Sequence, residues 1–360
     1  MAGKERYYVG FNLVRGVGPA RLRMLIEAFG DVERAWHAPA EALARAGLDR
    51  RSLENLLETR ARVDLDREVR RVAAVDAHIL TWEDEGYPKL LAEIPDPPPV
   101  LYVRGELRPE DAWAVAVVGT RRASTYGREV TRRLVTVLAQ SEVTIVSGLA
   151  RGIDAVAHQA ALEAGGRTIA VLGCGIDLVY PPEHRELARR IAAQGALVTE
   201  YPPGTSPEPG NFPPRNRIIS GLSLGIVVTE AGRNSGALIT ADYAAEQGRD
   251  VFAVPGSILS AGCAGTNRLI QDGAKPVLDA ADILQELNLT MVAEQKEARQ
   301  ALPTTETEAL ILAHLSAEPV HVDDLTRAVG LPVAQVTSTL ALMELKGMVR
   351  QVGGMKYVAS

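Results

Sequence analysis

Cysteine is scarce in this chain, and Cys174 and Cys263 are its only two. Two cysteines give no disulfide framework and no zinc-type ligand cluster, so we expect no structural metal and no cofactor. Long apolar runs are missing as well, since none approaches the ~20 residues that a membrane helix needs. We therefore expect no membrane insertion. Because the first residues lack the apolar stretch of a signal peptide, we expect a cytoplasmic protein.

Lysine is also rare, contributing six of the 39 basic residues, so arginine carries almost all of the positive charge. The net charge of −6 argues mildly against general attraction to nucleic acid. A local basic strip could still bind a polyanion, because salt screens distant charges beyond ~8–10 Å. Aromatic residues make up only 4% of the chain. The candidates for base stacking are therefore few: Tyr126, Tyr180, Tyr201 and Phe212.

The first 77 residues predict helices, over Tyr7–Leu13, Pro19–Phe29, Ala40–Ala46 and a longer segment that runs through Val75. The tight turn Gly16-Val17-Gly18 precedes Pro19, which suits the first turn of a helix. This turn is similar to a helix-hairpin-helix element, whose glycine amides can hold a DNA phosphate. A plain connector between two helices is an equally good interpretation. We assign residues 1–77 to a helical domain of SAM or helix-hairpin-helix type.

From residue 78 to residue 287, short apolar runs alternate with helical segments. Alternation of this kind indicates an α/β fold with a parallel sheet and helices on both faces. We expect an extended Rossmann-like domain over residues 78–287. The predicted strands are 114–118, 143–146, 168–172, 196–200, 225–229 and 250–254.

The polar segment 288–302 reads as a linker, and residues 303–360 predict three helices followed by a two-stranded hairpin. This is the pattern of a winged-helix domain. Its presumed recognition helix, VAQVTSTLALMEL, offers no arginine or lysine before Lys346. The domain has six acidic and four basic residues, a net of −2. Readers of the major groove usually carry basic or amide side chains there, so we favour a protein contact or a weak duplex DNA contact.

The most informative segment is 115–154, where two apolar strands each end in a glycine turn that carries arginine. Parallel strands place such turns side by side at the edge where α/β sheets bind ligands. Arginine side chains and free backbone amides suit anionic oxygens. We therefore expect a phosphate-bearing ligand. The candidate contacts are Gly119, Thr120, Arg121, Arg122, Ser147, Gly148 and Arg151.

A second segment, 201–250, continues this pattern. PPRNRIISG presents Arg215, Asn216 and Arg217, and a further strand end leads to Arg233, Ser235 and Gly236. A row of arginines and helix N-termini fits a strand of linked phosphates better than one small anion. The alternative is that Arg215 and Arg217 pair with Glu230 or neighbouring acids and hold the loops together.

The usual nucleotide and catalytic signatures are absent from this sheet. GTRRASTYG is neither G-x-G-x-x-G nor a P-loop, so NAD binding and ATP hydrolysis are not expected. Ser147, Asp154 and His158 lie close in sequence. Asp154 and His158 are one helical turn apart, however, which suits an i,i+4 pair better than a hydrolytic triad.

The ordered blocks VVGTRRASTYG, SGLARGIDAVAH, CGIDLVYPPEH, FPPRNRIISGLS and TEAGRNSGALITADYAAEQGRDVFAVPG resemble the DNA-processing protein A family (DprA/Smf) over about 78–287. The resemblance implies a single-stranded DNA-binding protein that protects incoming strands during natural transformation and loads RecA recombinase. It implies no enzymatic activity. The family's DNA-contacting arginine falls on Arg121.

The resemblance also implies a homodimer that forms through the helix carrying Asn267, Leu269 and Ile270. Family members often carry lysine where this chain has Pro182-Glu183 and Pro207 to Gly210. The candidates to replace those lysines are Arg185, Arg215 and Arg217.

Two other classes remain as alternatives. The Rossmann variant is also similar to phosphoribohydrolases that act on nucleoside monophosphates. Over Glu230 to Leu238, however, leucine stands where those enzymes need their glutamate. The other class is a duplex DNA regulator acting through the winged helix, which predicts sequence-selective duplex binding by residues 303–360.

Overall fold

The computed structural model describes residues 3–289, 305–316, 319–345 and 348–359. The chain divides into two units, residues 1–287 and residues 288–360, which are described separately. Most of the predicted linker, from residue 290 onward, and Lys346 lie outside the described residues. Within those residues, no helix combines the length and apolarity needed to span a bilayer.

Six helices open the first unit: α1 Glu5–Asn12, α2 Pro19–Phe29, α3 Val32–His37, α4 Ala40–Arg45, α5 Arg50–Arg62 and α6 Leu65–Ala73. Pro19 begins α2 and Gly30 ends it with a φ of 90°, a conformation that favours glycine. Helix α3 was not predicted from the sequence, and α5 and α6 were predicted as one segment. The Asp64 side chain accepts a hydrogen bond from the Arg67 amide and starts α6 as a separate helix.

A nine-stranded sheet follows, in the order β1-β2-β6-β5-β4-β3-β7-β8-β9. In this order, the strands from β6 across to β9 are all parallel to one another. At the other edge, β2 pairs antiparallel with β6, and β1 pairs antiparallel with β2. The strands are β1 His78–Thr81, β2 Val100–Gly105, β3 Ala114–Gly119, β4 Thr144–Ser147, β5 Thr168–Val171, β6 Ala196–Thr199, β7 Gly225–Glu230, β8 Asp250–Ala253 and β9 Lys275–Pro276. All six predicted strands are present, and the α/β fold class is confirmed.

The strand order reverses between β3 and β7. The chain runs outward from β3 to β6 and then returns to add β7 on the other side of β3. Right-handed crossovers in opposite directions place the two sets of helices on opposite faces of the sheet. The helices are α7 Lys89–Ala92, α8 Thr125–Gln140, α9 Ile153–Glu163, α10 Arg185–Gln194, α11 Phe212–Gly221, α12 Gly236–Glu246, α13 Ala264–Gln271 and α14 Ala280–Glu286. A reversal of this kind opens a ligand crevice at the carboxyl ends of the two strands.

The six N-terminal helices share a hydrophobic core with the sheet unit. Buried residues of α1 and α2 belong to the same cluster as residues of β5, α9 and α10. Asn12 donates to the Glu200 carbonyl at 2.9 Å, and Arg71 donates to the Pro203 carbonyl at 2.8 Å. The helical region therefore packs against the segment that follows β6.

The second unit is a winged helix. Its helices are α15 Glu306–Leu312, α16 Val322–Val329 and α17 Val333–Leu345, and its strands are β10 Val320–His321, β11 Val349–Gln351 and β12 Lys356–Ala359. The strands pair antiparallel in the order β10-β12-β11. Leu325, Leu340 and Tyr357 are among the buried residues that form its core. The winged-helix prediction is confirmed.

Candidate nucleic-acid interface

A cavity of about 740 Å³ lies where the strand order reverses. The end of β3 supplies Gly119 to Arg122, and the first turn of α12 supplies Ser235 and Gly236. The far wall comes from the start of α11, with Phe212 and Asn216. The two segments predicted to carry the site, 115–154 and 201–250, therefore meet in one groove.

Arg121 and Arg122 are the exposed cations of this groove. Neither forms an ion pair with any residue that the structure describes. Their loop is anchored by buried Glu230, whose backbone carbonyl accepts from the Thr120 amide at 2.7 Å. The Glu230 side chain accepts from the Ser124 amide at 2.9 Å. Two available guanidinium groups are thus held on a loop fixed at both ends.

An aromatic ring lies beside these cations. The guanidinium carbon of Arg121 is 5.7 Å from the centroid of the Phe212 ring, within the range of a cation–π contact. Tyr180 lies 5.6 Å from Phe212, ring centroid to ring centroid, with the planes tilted by 40°. Tyr180 is exposed and Phe212 is partly buried. The groove therefore combines positive charge with two stacking surfaces.

The amide of Gly148 is occupied in this structure. The buried Asp154 carboxylate accepts from the Gly148 amide at 3.1 Å and from the Ala150 amide at 3.3 Å. Ser147 is fully buried, and its hydroxyl donates to the Val117 carbonyl at 2.7 Å. The backbone amides of Ser147 and Gly148 were predicted to be free anion donors, whereas the Gly148 amide holds the loop after β4.

Arg215 and Arg217 are both buried. Arg215 is 4% exposed and donates to the Gly148 carbonyl at 2.9 Å. Burial lowers the pKa of Arg215 to about 10. Arg217 holds the Glu200 carboxylate through two bonds of 2.6 and 2.8 Å and lines a different cavity, of about 380 Å³. For Arg217, the predicted alternative of a structural ion pair is therefore observed, with Glu200 in place of Glu230.

Other predicted contacts lie around the rim. Arg151 is exposed and pairs with Glu183 at 2.5 Å. Asn216 lines the groove, and its side chain approaches the Gly236 carbonyl at 3.5 Å. Arg233 is exposed but lines a neighbouring cavity with Arg268 and other residues. An exposed ion pair contributes little to stability, so Arg151 could exchange Glu183 for a phosphate.

The residues of the considered triad have other partners. Ser147 bonds to a backbone carbonyl, Asp154 to two backbone amides, and His158 to Thr168 at 2.7 Å. The expected pair between Asp154 and His158 is not formed, because each side chain is engaged elsewhere. Among the described residues, no group of three or more histidine, cysteine, aspartate or glutamate side chains could hold a metal ion.

Comparison with known families decides the assignment. The model for DNA recombination-mediator protein A matches residues 78–288, and a DprA winged helix domain model matches residues 295–355. The chain belongs to the DNA recombination-mediator protein A family. It is 38% identical to the Smf protein of Synechocystis sp. over 99% of both chains.

Solved structures of two relatives share this fold. DNA processing protein A from Streptococcus pneumoniae superposes with a TM-score of 0.70 and 36% identity, covering 78% of this chain and 97% of that one. DNA processing protein A from Helicobacter pylori, studied for its single-stranded DNA binding mode, gives a TM-score of 0.53 and 31% identity. That match covers 58% of this chain and 95% of the other. Family membership therefore gives the chain a DNA-processing role, that of a recombination mediator.

The residues predicted to join two copies lie on α13, but they are not the most exposed part of that region. The Asn267 side chain accepts from the Gly256 amide and donates to the Gly256 carbonyl, each at 3.0 Å. Leu269 packs against the sheet core. Three exposed aliphatic side chains from the loops after β8 and β9 were not predicted from the sequence. These are Ile258, Leu259 and Leu278, which are 91%, 92% and 81% exposed. The adjacent apolar residues Ile258 and Leu259, between Gly256 and Gly262, were the feature of the sequence that could have predicted this exposed surface.

Proposed function

We propose that this protein binds single-stranded DNA in the groove between β3 and β7 and delivers the strand to RecA recombinase. The observation that carries the proposal is the position of Arg121, an exposed cation without an acidic partner among the described residues, beside the ring of Phe212. A guanidinium group next to an aromatic face matches a phosphate next to a base.

The phosphate and the base of a nucleotide each find a matching group in the groove. Arg121 and Arg122 face the solvent and would contact phosphate oxygens. The N-terminus of α12, at Ser235 and Gly236, adds partial positive charge. Phe212 and Tyr180 offer ring faces, and stacking on an aromatic side chain does not depend strongly on base identity. We therefore expect single strands to bind with little sequence preference.

The geometry of the site favours a single strand over a duplex. Phe212 and Tyr180 both line the groove, whereas the bases of a duplex are stacked on each other and present only their edges. An unpaired strand can turn its bases onto these rings. A duplex would contact the arginines but not the rings, and would bind more weakly.

A homodimer would strengthen this binding. The exposed side chains of Ile258, Leu259 and Leu278 lie in the loops after β8 and β9, at the edge of the sheet that α13 also contacts. Aliphatic side chains with this much exposure are typical of an interaction surface. Two grooves joined in one particle would hold a long strand by avidity. A strand bound by both grooves of the dimer would be protected and would be available for the loading of RecA.

The winged helix fits a contact with protein or a weak contact with duplex DNA. Described residues of α17 carry no lysine or arginine, while Leu342 on this helix and Val352 and Met355 on the hairpin are exposed. Apolar side chains at these positions suit a protein surface better than base edges.

Fluorescence anisotropy tests the proposal, with a labelled oligo-dT and a duplex of equal length measured over a salt series. We expect the wild type to prefer the single strand. Arg121→Ala should weaken this binding by roughly 1–3 kcal/mol, the cost of a lost hydrogen bond to a charged group, and flatten the salt dependence. Arg132→Ala is the matched control, because Arg132 is an exposed arginine that pairs with Glu129 on α8.

Unchanged affinity in Arg121→Ala would remove Arg121 from the site. Equal or absent binding of the two DNAs would contradict the proposed function. In that case, release of free base from AMP would support the phosphoribohydrolase alternative.

A further inference from the structure

One arginine of the groove wall is almost completely buried. Arg215 begins the second turn of α11, yet only 4% of it is exposed. It lines the cavity with Arg121 and Phe212, but its guanidinium group donates to backbone carbonyls of the protein. A direct phosphate contact would require this side chain to leave its buried position.

The contacts of Arg215 join three separate segments. Its Nη1 atom donates to the carbonyl of Gly148, at the end of β4, and to the carbonyl of Val171, at the end of β5. Asp154 bonds to the amide of the same Gly148. A side chain at position 148 would place its Cβ 2.7 Å from Arg215 Nη2 and 2.9 Å from Asp154 Oδ2. The loop after β4 is thus closely packed against this one guanidinium group.

The Phe212 ring connects Arg215 to the exposed part of the site. The guanidinium carbon of Arg215 is 5.8 Å from the ring centroid, and that of Arg121 is 5.7 Å from the same centroid. A buried arginine and an exposed arginine therefore share one ring. Displacing the buried one would free the ring to turn and would move the surface beside which Arg121 lies.

We propose that Arg215 is a positioning residue, which holds Phe212 and the loop after β4 in place for single-stranded DNA without touching the DNA. This inference rests on the proposed function. Lysine could not replace Arg215, because a compact ammonium group lacks the planar guanidinium surface that stacks on the Phe212 ring.

The test compares Arg215→Lys with Arg121→Ala in the same anisotropy titration. A positioning role predicts that Arg215→Lys binds single strands roughly tenfold more weakly, the equivalent of one or two hydrogen bonds, with an unchanged salt slope. Loss of one phosphate contact in Arg121→Ala makes the negative slope of log K against log salt shallower by about 0.7. Parallel lines for Arg215→Lys and wild type therefore support the proposal.

Arg60 provides a matched control. It donates to the carbonyls of Ala35 and Ala38 at 2.9 Å each, and its guanidinium carbon is 5.4 Å from the Trp36 ring centroid. Arg60→Lys removes the same kind of contacts in the helical region. We expect it to lower the melting temperature and leave the affinity for single strands unchanged.

A second variant makes the result independent of the stability of Arg215→Lys. Phe212→Leu removes the shared ring and should by itself weaken binding with an unchanged salt slope. Because Arg215 acts through the ring, combining the two substitutions should cost less than the product of their separate effects. Melting curves confirm that each variant is folded at the assay temperature.

Three outcomes would overturn the inference. The first is that Arg215→Lys binds single strands as tightly as wild type. The second is that its slope of log K against log salt becomes shallower, as in Arg121→Ala. The third is that the double variant with Phe212→Leu loses the full product of the two separate losses of affinity. Failure of the wild type to bind single strands would instead refute the proposed function itself.

Discussion

His158 gives the clearest prediction about stability. It is fully buried in α9, and its Nδ1 lies 2.7 Å from the Thr168 hydroxyl. That hydroxyl already donates to the Ile145 carbonyl at 2.7 Å, so it must accept the hydrogen of Nδ1. Nε2 is then the unprotonated nitrogen, and it is buried with no hydrogen-bond partner among the residues that the structure describes. A proton added at Nε2 would create a buried cation without an acceptor.

Burial, with a smaller effect from His184 and Arg215, lowers the pKa of His158 to about 3. Below pH 6.5 the unfolded chain binds a proton at this histidine that the folded protein does not. Acid therefore favours the unfolded state, and the stability present above pH 6.5 is lost as the pH falls towards 3. Each pH unit changes the free energy of unfolding by about 1.4 kcal/mol for one proton. Because of His158, this free energy should therefore fall by about 2 kcal/mol between pH 6.5 and pH 5.

Urea unfolding at pH 7.5, 6.5, 5.5 and 5, followed by tryptophan fluorescence, measures this loss. His158→Asn keeps a side-chain N–H for Thr168 but cannot gain a proton. It should be less stable than wild type at pH 7.5 and should lose about 2 kcal/mol less on going to pH 5. His37→Gln, at an exposed histidine of α3, is the control. Equal losses in wild type and His158→Asn would refute the argument.

Two further predictions concern other parts of the molecule. Leu259→Glu places a charge on a side chain that is 92% exposed, so we expect monomers by light scattering with an unchanged melting temperature; a dimer that persists would place the interface elsewhere. Leu269→Glu would be a poorer probe, because Leu269 packs against the core. Gly127→Ala would bring a Cβ within 2.0 Å of Glu230 Oε2 and displace the carboxylate that holds Ser124. We expect it to lower the melting temperature and to weaken single-strand binding, and wild-type behaviour in both assays would contradict this role of Glu230.

The parallel strands were predictable because each is a continuous apolar run buried on both faces, as in β3 and β7. The groove was predictable for the same reason, since parallel strand ends meet at one edge. Helix α3 was not predicted, although it is as long as α4, which was. Its start depends on Asp31, whose side chain accepts from the Arg34 amide.

The roles of the individual arginines could not be read from the sequence. Arg121 and Arg215 both follow turn-forming residues and both looked like phosphate ligands. Their difference depends on distant partners, since Arg215 donates to carbonyls 67 and 44 residues away. Arg217 is likewise held by Glu200, from a neighbouring strand end. Burial of a charged group is decided by tertiary contacts, which no local pattern records.

The bonds from Asn12 and Arg71 to the chain after β6 affect how deletion experiments are interpreted. Those carbonyls belong to the segment that leads to Phe212, so the N-terminal helices support one wall of the groove. A shortened protein without them would lose that support, whether or not the hairpin at Gly16 ever meets a phosphate. Weaker DNA binding after truncation would therefore not map a contact to the removed residues. Only substitutions on the surface of the hairpin can separate support from recognition.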